Sequence, residues 1–174
     1  MINEFEKLCR SRKSIRKFTD KLIEEDKIEK ILNIINSAPS AGNLQDYEVI
    51  VVKSKDKIRE LYEASLQQKF ISEAPVVLVF VAKPQESSKI YGKRGEQLYS
   101  IQGATIACTY AMLACEALGI SSTWVGAFEE DKIKELLSCR EDEMVIALLP
   151  IGYTLSNKIS FIHRKDLSEI VREV

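Results

Sequence analysis

The sequence predicts an α+β domain, one sheet with helices on its faces. Three observations predict it. Strand-like and helix-like stretches alternate irregularly, with about five or six helices and about four strands. There is no strand–Gly-x-Gly-x-x-Gly–helix unit and no Gly-x-x-x-x-Gly-Lys-Ser/Thr loop, which argues against a dinucleotide-binding doubly wound sheet and a phosphate-loop fold. The 174 residues suit one domain, 1–174, large enough to bury a core without staples.

The elements follow in order. Residues 3–10 form a short helix that runs into a basic segment. Ile28, Ile31, Leu32 and Ile35 recur at helical spacing, so 24–37 is an amphipathic helix. It stops before Ala38-Pro39, because the residue preceding proline disfavours the α region. A polar turn, Ser40-Ala41-Gly42-Asn43-Leu44-Gln45, leads to a Val- and Ile-rich strand at 47–53. Residues 55–68 are helical, with Ile58, Leu61, Tyr62 and Leu66 on one face. Pro75–Ala82 is a continuous apolar strand, buried on both faces. A polar stretch from Lys83 to Gly95 precedes a long helix at 96–118, rich in Gly103, Ala104, Ala107, Ala111, Ala114 and Ala117, with Gly119 as its C-cap. Such small residues admit a second helix, as in a dimer, or a cofactor. Residues 121–127 are a strand carrying Trp124, 129–138 a short helix, 143–152 a strand ending in Gly152-Tyr153, and 166–173 a short helix or an arm.

Composition narrows the function. The 25 basic and 26 acidic side chains leave a net charge of −1, without the basic excess of a dedicated nucleic-acid binder. No apolar run approaches the roughly 20 residues of a membrane span, and the N-terminus lacks the layout of a signal peptide; the expected location is the cytoplasm. The four cysteines form no Cys-x-x-Cys pair, and His163 is the only histidine, which leaves no support for a metal site or a histidine-centred triad. Cys108 and Cys115, seven apart, share a helix face and read as small buried residues.

The run Arg10-Ser11-Arg12-Lys13-Ser14-Ile15-Arg16-Lys17-Phe18 holds five cations and no acid. In an extended segment Arg12, Ser14 and Arg16 point one way and Ile15 the other, towards the core, with Phe18 as a second apolar anchor. Two guanidinium groups and a hydroxyl on one face suit a phosphate; taken alone, such a run is equally a solvated charge patch. Arg164-Lys165 is a second basic pair. Pro39, Ser40, Asn43 and Gln45 present a turn whose amides both donate and accept, as a flat heterocycle requires; the same turn serves as a plain connection. Val125 and Gly126 are either a close backbone approach to a ligand or a turn.

These residues carry a resemblance. Arg12-Lys13-Ser14-Ile15-Arg16-Lys17-Phe18, Ala38–Gln45, Tyr91-Gly92 through Tyr99-Ser100-Ile101-Gln102, Trp124-Val125-Gly126-Ala127-Phe128, and Leu149–Tyr153 followed by Arg164-Lys165 stand in the order of the motifs of the FMN-dependent nitroreductase family. The chain resembles that family over nearly its whole length. The resemblance implies a central, mostly antiparallel sheet flanked by helices, in an intertwined homodimer with FMN at the subunit interface. It implies that Arg12, Lys13, Ser14 and Arg16 hold the phosphate and ribityl chain and that Arg164 and Lys165 close that site. Pro39, Ser40, Asn43 and Gln45 would line the isoalloxazine from the other subunit, and the backbone at Val125 and Gly126 would meet the ring. Tyr91, Arg94, Tyr99 and Trp124 are the expected substrate side. The implied activity is a ping-pong oxidoreductase: NAD(P)H is the donor, a nitroaromatic, quinone or similar small molecule the acceptor, and no side chain acts as acid or nucleophile. Departures from the family pattern are Gly103 where Asp is common, Tyr110 where Asn is common, and Thr154 after Gly152-Tyr153. The alternatives are an FMN-binding protein with another flavin role and a phosphate- or RNA-binding module.

Overall fold

The computed structural model describes residues 1–155 and 163–174. In chain order the elements are α1 (Ile2–Ser11), α2 (Glu25–Ile35), a 3₁₀ turn (Ala41–Asn43), β1 (Tyr47–Val52), α3 (Lys55–Ala64), α4 (Phe70–Glu73), β2 (Val76–Ala82), α5 (Pro84–Arg94), a π-helical turn (Gly95–Tyr99), α6 (Ser100–Ala117), β3 (Ser121–Ser122), α7 (Glu130–Leu137), β4 (Met144–Gly152) and a 3₁₀ turn (Leu167–Glu169). The strands pair in the order β1-β2-β4-β3, every neighbour antiparallel.

Strand β2 is the centre of a three-layer sandwich. Its side chains alternate, so Val76, Leu78 and Phe80 pack with α2 and α6, while Val77, Val79 and Val81 pack with α3, α4 and α7. All seven residues of β2 are buried, which explains why it reads as an unbroken apolar run. Each large side chain buried here contributes about 1.5–3 kcal/mol. Helix α6 meets the sheet through its small face of Gly103, Ala104, Ala107, Cys108, Ala111 and Cys115.

Four elements differ from expectation. The helix expected at 55–68 ends at Ala64, because Leu66 and Gln67 turn to positive φ (54° and 53°), and Leu66 is exposed rather than on the apolar face. The strand at 121–127 shrinks to Ser121–Ser122, resuming only as a bridge between Val125 and Leu148. In the register Ser122–Ile151, Pro150 stands opposite Thr123 and has no N–H to return to the ladder. The polar stretch after Lys83 is helical: Pro84 occupies the favoured first position, and only Gly92, at φ 58° and ψ −145°, breaks the helix. With Ile90 and Tyr91 as its exposed large apolar residues, α5 has no apolar stripe to announce it. The segment after Asp166 is one capped 3₁₀ turn on an exposed arm. Pro84–Ala117 has the length and apolar content of a membrane span by composition, but it doubles back near Gly92 and α6 forms part of the core.

Candidate functional site

Two groups of residues emerge. The first is built on the basic segment. After α1 the chain turns extended at Arg12 (φ −57°, ψ 127°) and is fixed beside β3 by the Ser14–Ser122 bridge and by Ile15 N–H donating to Ser122 O at 3.1 Å. Thr19 N–H donates to Tyr153 O at 2.8 Å. Phe18, 6% exposed, is the apolar anchor; Ile15 is only half-buried. Gly152 makes room for that anchor, because a Cβ there would fall 3.0 Å from Phe18 Cδ1 and 2.8 Å from Pro75 Cδ. Arg12 and Lys13 are half-buried, while Ser14, Arg16 and Lys17 are exposed. None of the four cations has an acidic partner among the described residues, whereas Lys21, Lys27, Lys30, Lys53 and Lys83 all do. The result is a fixed strip of uncompensated positive charge.

Because Ser14 pairs with Ser122, the strip lies beside the chain that leads to Trp124, Val125 and Gly126. Val125 spends both peptide groups on Leu148, donating at 2.9 Å and accepting at 3.0 Å. Gly126 is exposed, and a Cβ there would lie 3.3 Å from Trp124 Nε1. The backbone left to meet a ligand here is that of Gly126 rather than Val125.

The second group is the 39–45 turn with the α5–α6 hairpin. Gly42, Asn43 and Gln45 all have positive φ (57°, 55° and 50°), and Gln45 N–H donates to Ser40 Oγ at 2.8 Å. The Gln45 amide donates to Asn36 Oδ1 at 3.2 Å and so braces the turn against α2. Asn43 is exposed and its amide is unengaged among the described residues. Pro39 is exposed and Ser40 half-buried beside it. Tyr91 covers Gly42: a Cβ on Gly42 would fall 2.3 Å from the Tyr91 hydroxyl. Tyr91 meets Tyr99 edge-on with centroids 5.2 Å apart, and Arg94 Nε donates to Tyr99 Oη at 3.1 Å. Three of the four residues expected on the substrate side, Tyr91, Arg94 and Tyr99, are therefore brought together against the turn, whereas Trp124 stands beside Gly126 in the first group.

Sequence reasoning missed Asp46. It is fully buried, both carboxylate oxygens lack hydrogen-bond partners, and Oδ1 lies 3.0 Å from where a Gly103 Cβ would be. The departure at Gly103 was the available signal: the loop carboxylate fills the space a helix side chain would take. Burial and the Asp46 charge together raise the Tyr47 hydroxyl above its ordinary pKa. Arg164 and Lys165 are exposed, and no hydrogen bond or ion pair joins them to the 12–17 strip among the described residues. No such contact joins the two groups within one chain either, and no cluster of metal-ligating side chains occurs among the described residues.

The chain thus presents an antiparallel sheet flanked by helices, a fixed cationic strip and an aromatic hairpin over a polar turn. The model of the nitroreductase family matches residues 9–70 and 65–153, and the chain belongs to that family. A crystal structure of a nitroreductase family protein from Clostridium novyi NT is 32% identical, covers 86% of this chain and 84% of that one, and superposes with a TM-score of 0.78. An FMN-dependent nitroreductase from Clostridium difficile R20291 is 28% identical over 89% of this chain and 90% of its own, with a TM-score of 0.76. An NADH dehydrogenase of Thermus thermophilus is 28% identical over 92% of this chain and 91% of its own.

Proposed function

We propose that this protein is a homodimeric, FMN-dependent NAD(P)H oxidoreductase that reduces a nitroaromatic, quinone or similar acceptor by a ping-pong mechanism. The observation that carries this reading is the unpaired strip of Arg12, Lys13, Arg16 and Lys17 fixed beside β3. The residues fit the cofactor. Arg12, Ser14 and Arg16 supply charge and directed donors to a phosphate, with Lys13 adjacent. Asn43 offers a free amide to a heterocycle, Ser40 and Pro39 shape the turn beside it, and Gly126 leaves room for a planar ring. The FMN and NADH of the two named relatives support the same choice.

Bound FMN would supply the redox chemistry, taking hydride from NAD(P)H and returning two electrons and two protons to the acceptor. For a nitro compound the overall balance is NAD(P)H, a proton and the nitro group going to NAD(P)⁺, the nitroso compound and water. The protein residues bind and orient; the second proton comes from solvent, and no side chain is required to form a covalent bond.

Two features support the dimer. Phe5, Leu8, Ile34, Tyr110, Leu113 and Ala117 line an open apolar groove of about 300 Å³ between α1, α2 and α6. Leu167, Ile170 and Val171, 56–74% exposed, give the C-terminal arm an apolar face. A second copy would cover both, would bring its 39–45 turn to the strip of the first, and would seat Arg164 and Lys165 at the phosphate. Such an arrangement completes a site that one chain presents in two halves. The test is direct: the protein purifies yellow, acid treatment releases FMN at one per chain, and light scattering gives twice the chain mass. A colourless protein that takes up no added FMN overturns the proposal.

A further inference from the structure

Arg94 has a chemistry that flavin binding does not use. The left-handed Gly92 turns the chain so that Tyr91, Arg94 and Tyr99 converge. Arg94 Nε is spent on the Tyr99 hydroxyl, and the guanidinium carbon sits 5.6 Å from the Tyr99 ring centre. That bond fixes the plane of the group and leaves both terminal NH₂ groups free. No acid pairs with them among the described residues; Glu96, two residues on, does not. An end-on pair of N–H donors matches one carboxylate. The position is specific too: Tyr91, three residues earlier, rests on Gly42 in the turn proposed to line the ring.

We propose that Arg94 is a specificity-determining residue that anchors an anionic substituent, a carboxylate in the first instance, on a planar aromatic acceptor. Resting on the proposed function, this names its substrate class: compact aromatic acceptors with an acidic group at one edge. Tyr99 is the positioning residue, and Tyr91 supplies the edge against which the aromatic body packs.

The experiment compares p-nitrobenzoate with its neutral methyl ester at saturating NADH in wild type, Arg94→Gln and Arg94→Lys. In parallel, calorimetry measures binding of the unreactive pair benzoate and benzamide to the yellow protein. The expected result is an about tenfold fall in the carboxylate-to-ester ratio of kcat/KM in Arg94→Gln, partly restored in Arg94→Lys. Benzoate affinity falls by a similar factor, and in the wild-type protein benzoate binding weakens with added salt while benzamide binding does not. A ratio unchanged within about twofold in Arg94→Gln overturns the proposal. So does a loss confined to NADH as the varied substrate, which would give the cation to the reductant. A yellow protein that reduces neither acceptor contradicts the proposed function instead, and the benzoate measurement then still reads Arg94. Should Arg94→Gln not fold, Arg94→Lys and the salt dependence decide.

Discussion

Gly95 closes the hairpin that carries the substrate-side residues, and replacing it with alanine tests that packing. Gly95 is buried, with φ −61° and ψ −50°, so its backbone conformation is one alanine prefers. Helix propensity alone therefore predicts that Gly95→Ala stabilises by about 0.8–1 kcal/mol. The packing predicts the reverse. A Cβ on Gly95 would fall 2.5 Å from the Ser87 carbonyl oxygen and 2.7 Å from its carbon. Those atoms are backbone and cannot swing aside, so α5 must move away by nearly an ångström. Overpacking of this kind costs about 1–3 kcal/mol. Set against the propensity gain, the net loss is about 1 kcal/mol, or about 2–4 °C in Tm for a chain of this size. Thermal unfolding by circular dichroism, at fixed protein concentration, reads it. Gly119→Ala is the control: its φ of 69° strains any side chain, but nothing lies within 4 Å. Equal or greater stability in Gly95→Ala would refute the close approach of α5 to the π-helical turn that follows it.

Two further predictions follow from the surroundings of Glu24 and of the cysteines. Glu24 accepts from the Tyr153 hydroxyl, which itself accepts from Lys27 at 2.6 Å, and this holds the carboxyl near a pKa of about 2 against an ordinary 4.5. A depressed acid contributes its stability above the unfolded value and loses it as pH falls, so the destabilisation of Glu24→Gln is full at neutral pH and fades between pH 4.5 and about 2; a gap constant across that window in pH-dependent Tm measurements would count against the bridge. Burial pushes the Cys115 thiol up to about 12 and Cys108 higher, whereas Cys9 is exposed. A thiol reagent on the native protein therefore modifies Cys9 fast and leaves Cys108 and Cys115 until unfolding; early labelling of Cys108 contradicts their place in the core.

Much of this architecture was legible from periodicity, because burial imposes it. The unbroken apolar β2 and the 3.6-residue pattern of α2 report directly which faces are covered. Helix α5 was illegible for the same reason, since its Ser87 backbone packs on Gly95 of the following π-helical turn rather than through an apolar stripe. The short β3 turned on a single missing N–H at Pro150, which no local pattern reveals. Within the site, the spacing of Arg12, Ser14 and Arg16 anticipated an extended strip, but its anchor is Phe18 seated by Gly152, a contact between residues 134 positions apart. The Gln45 amide also braces the turn to Asn36, a long-range contact that its place in the motif does not announce. Asp46 escaped notice because burial of an unpartnered carboxylate depends on what α6 leaves open at Gly103.

The claim at the centre of this account is that the strip at 12–17 holds a phosphate. Riboflavin lacks that phosphate and otherwise matches FMN, so the decisive measurement is the ratio of their dissociation constants by fluorescence titration of protein stripped of flavin. Two charged hydrogen bonds at about 1.5–3 kcal/mol each predict a preference for FMN of about a hundredfold or more, collapsing in Arg12→Ala/Arg16→Ala towards equal binding. Wild-type protein that binds the two flavins alike, or a double variant that keeps the full preference, would contradict it.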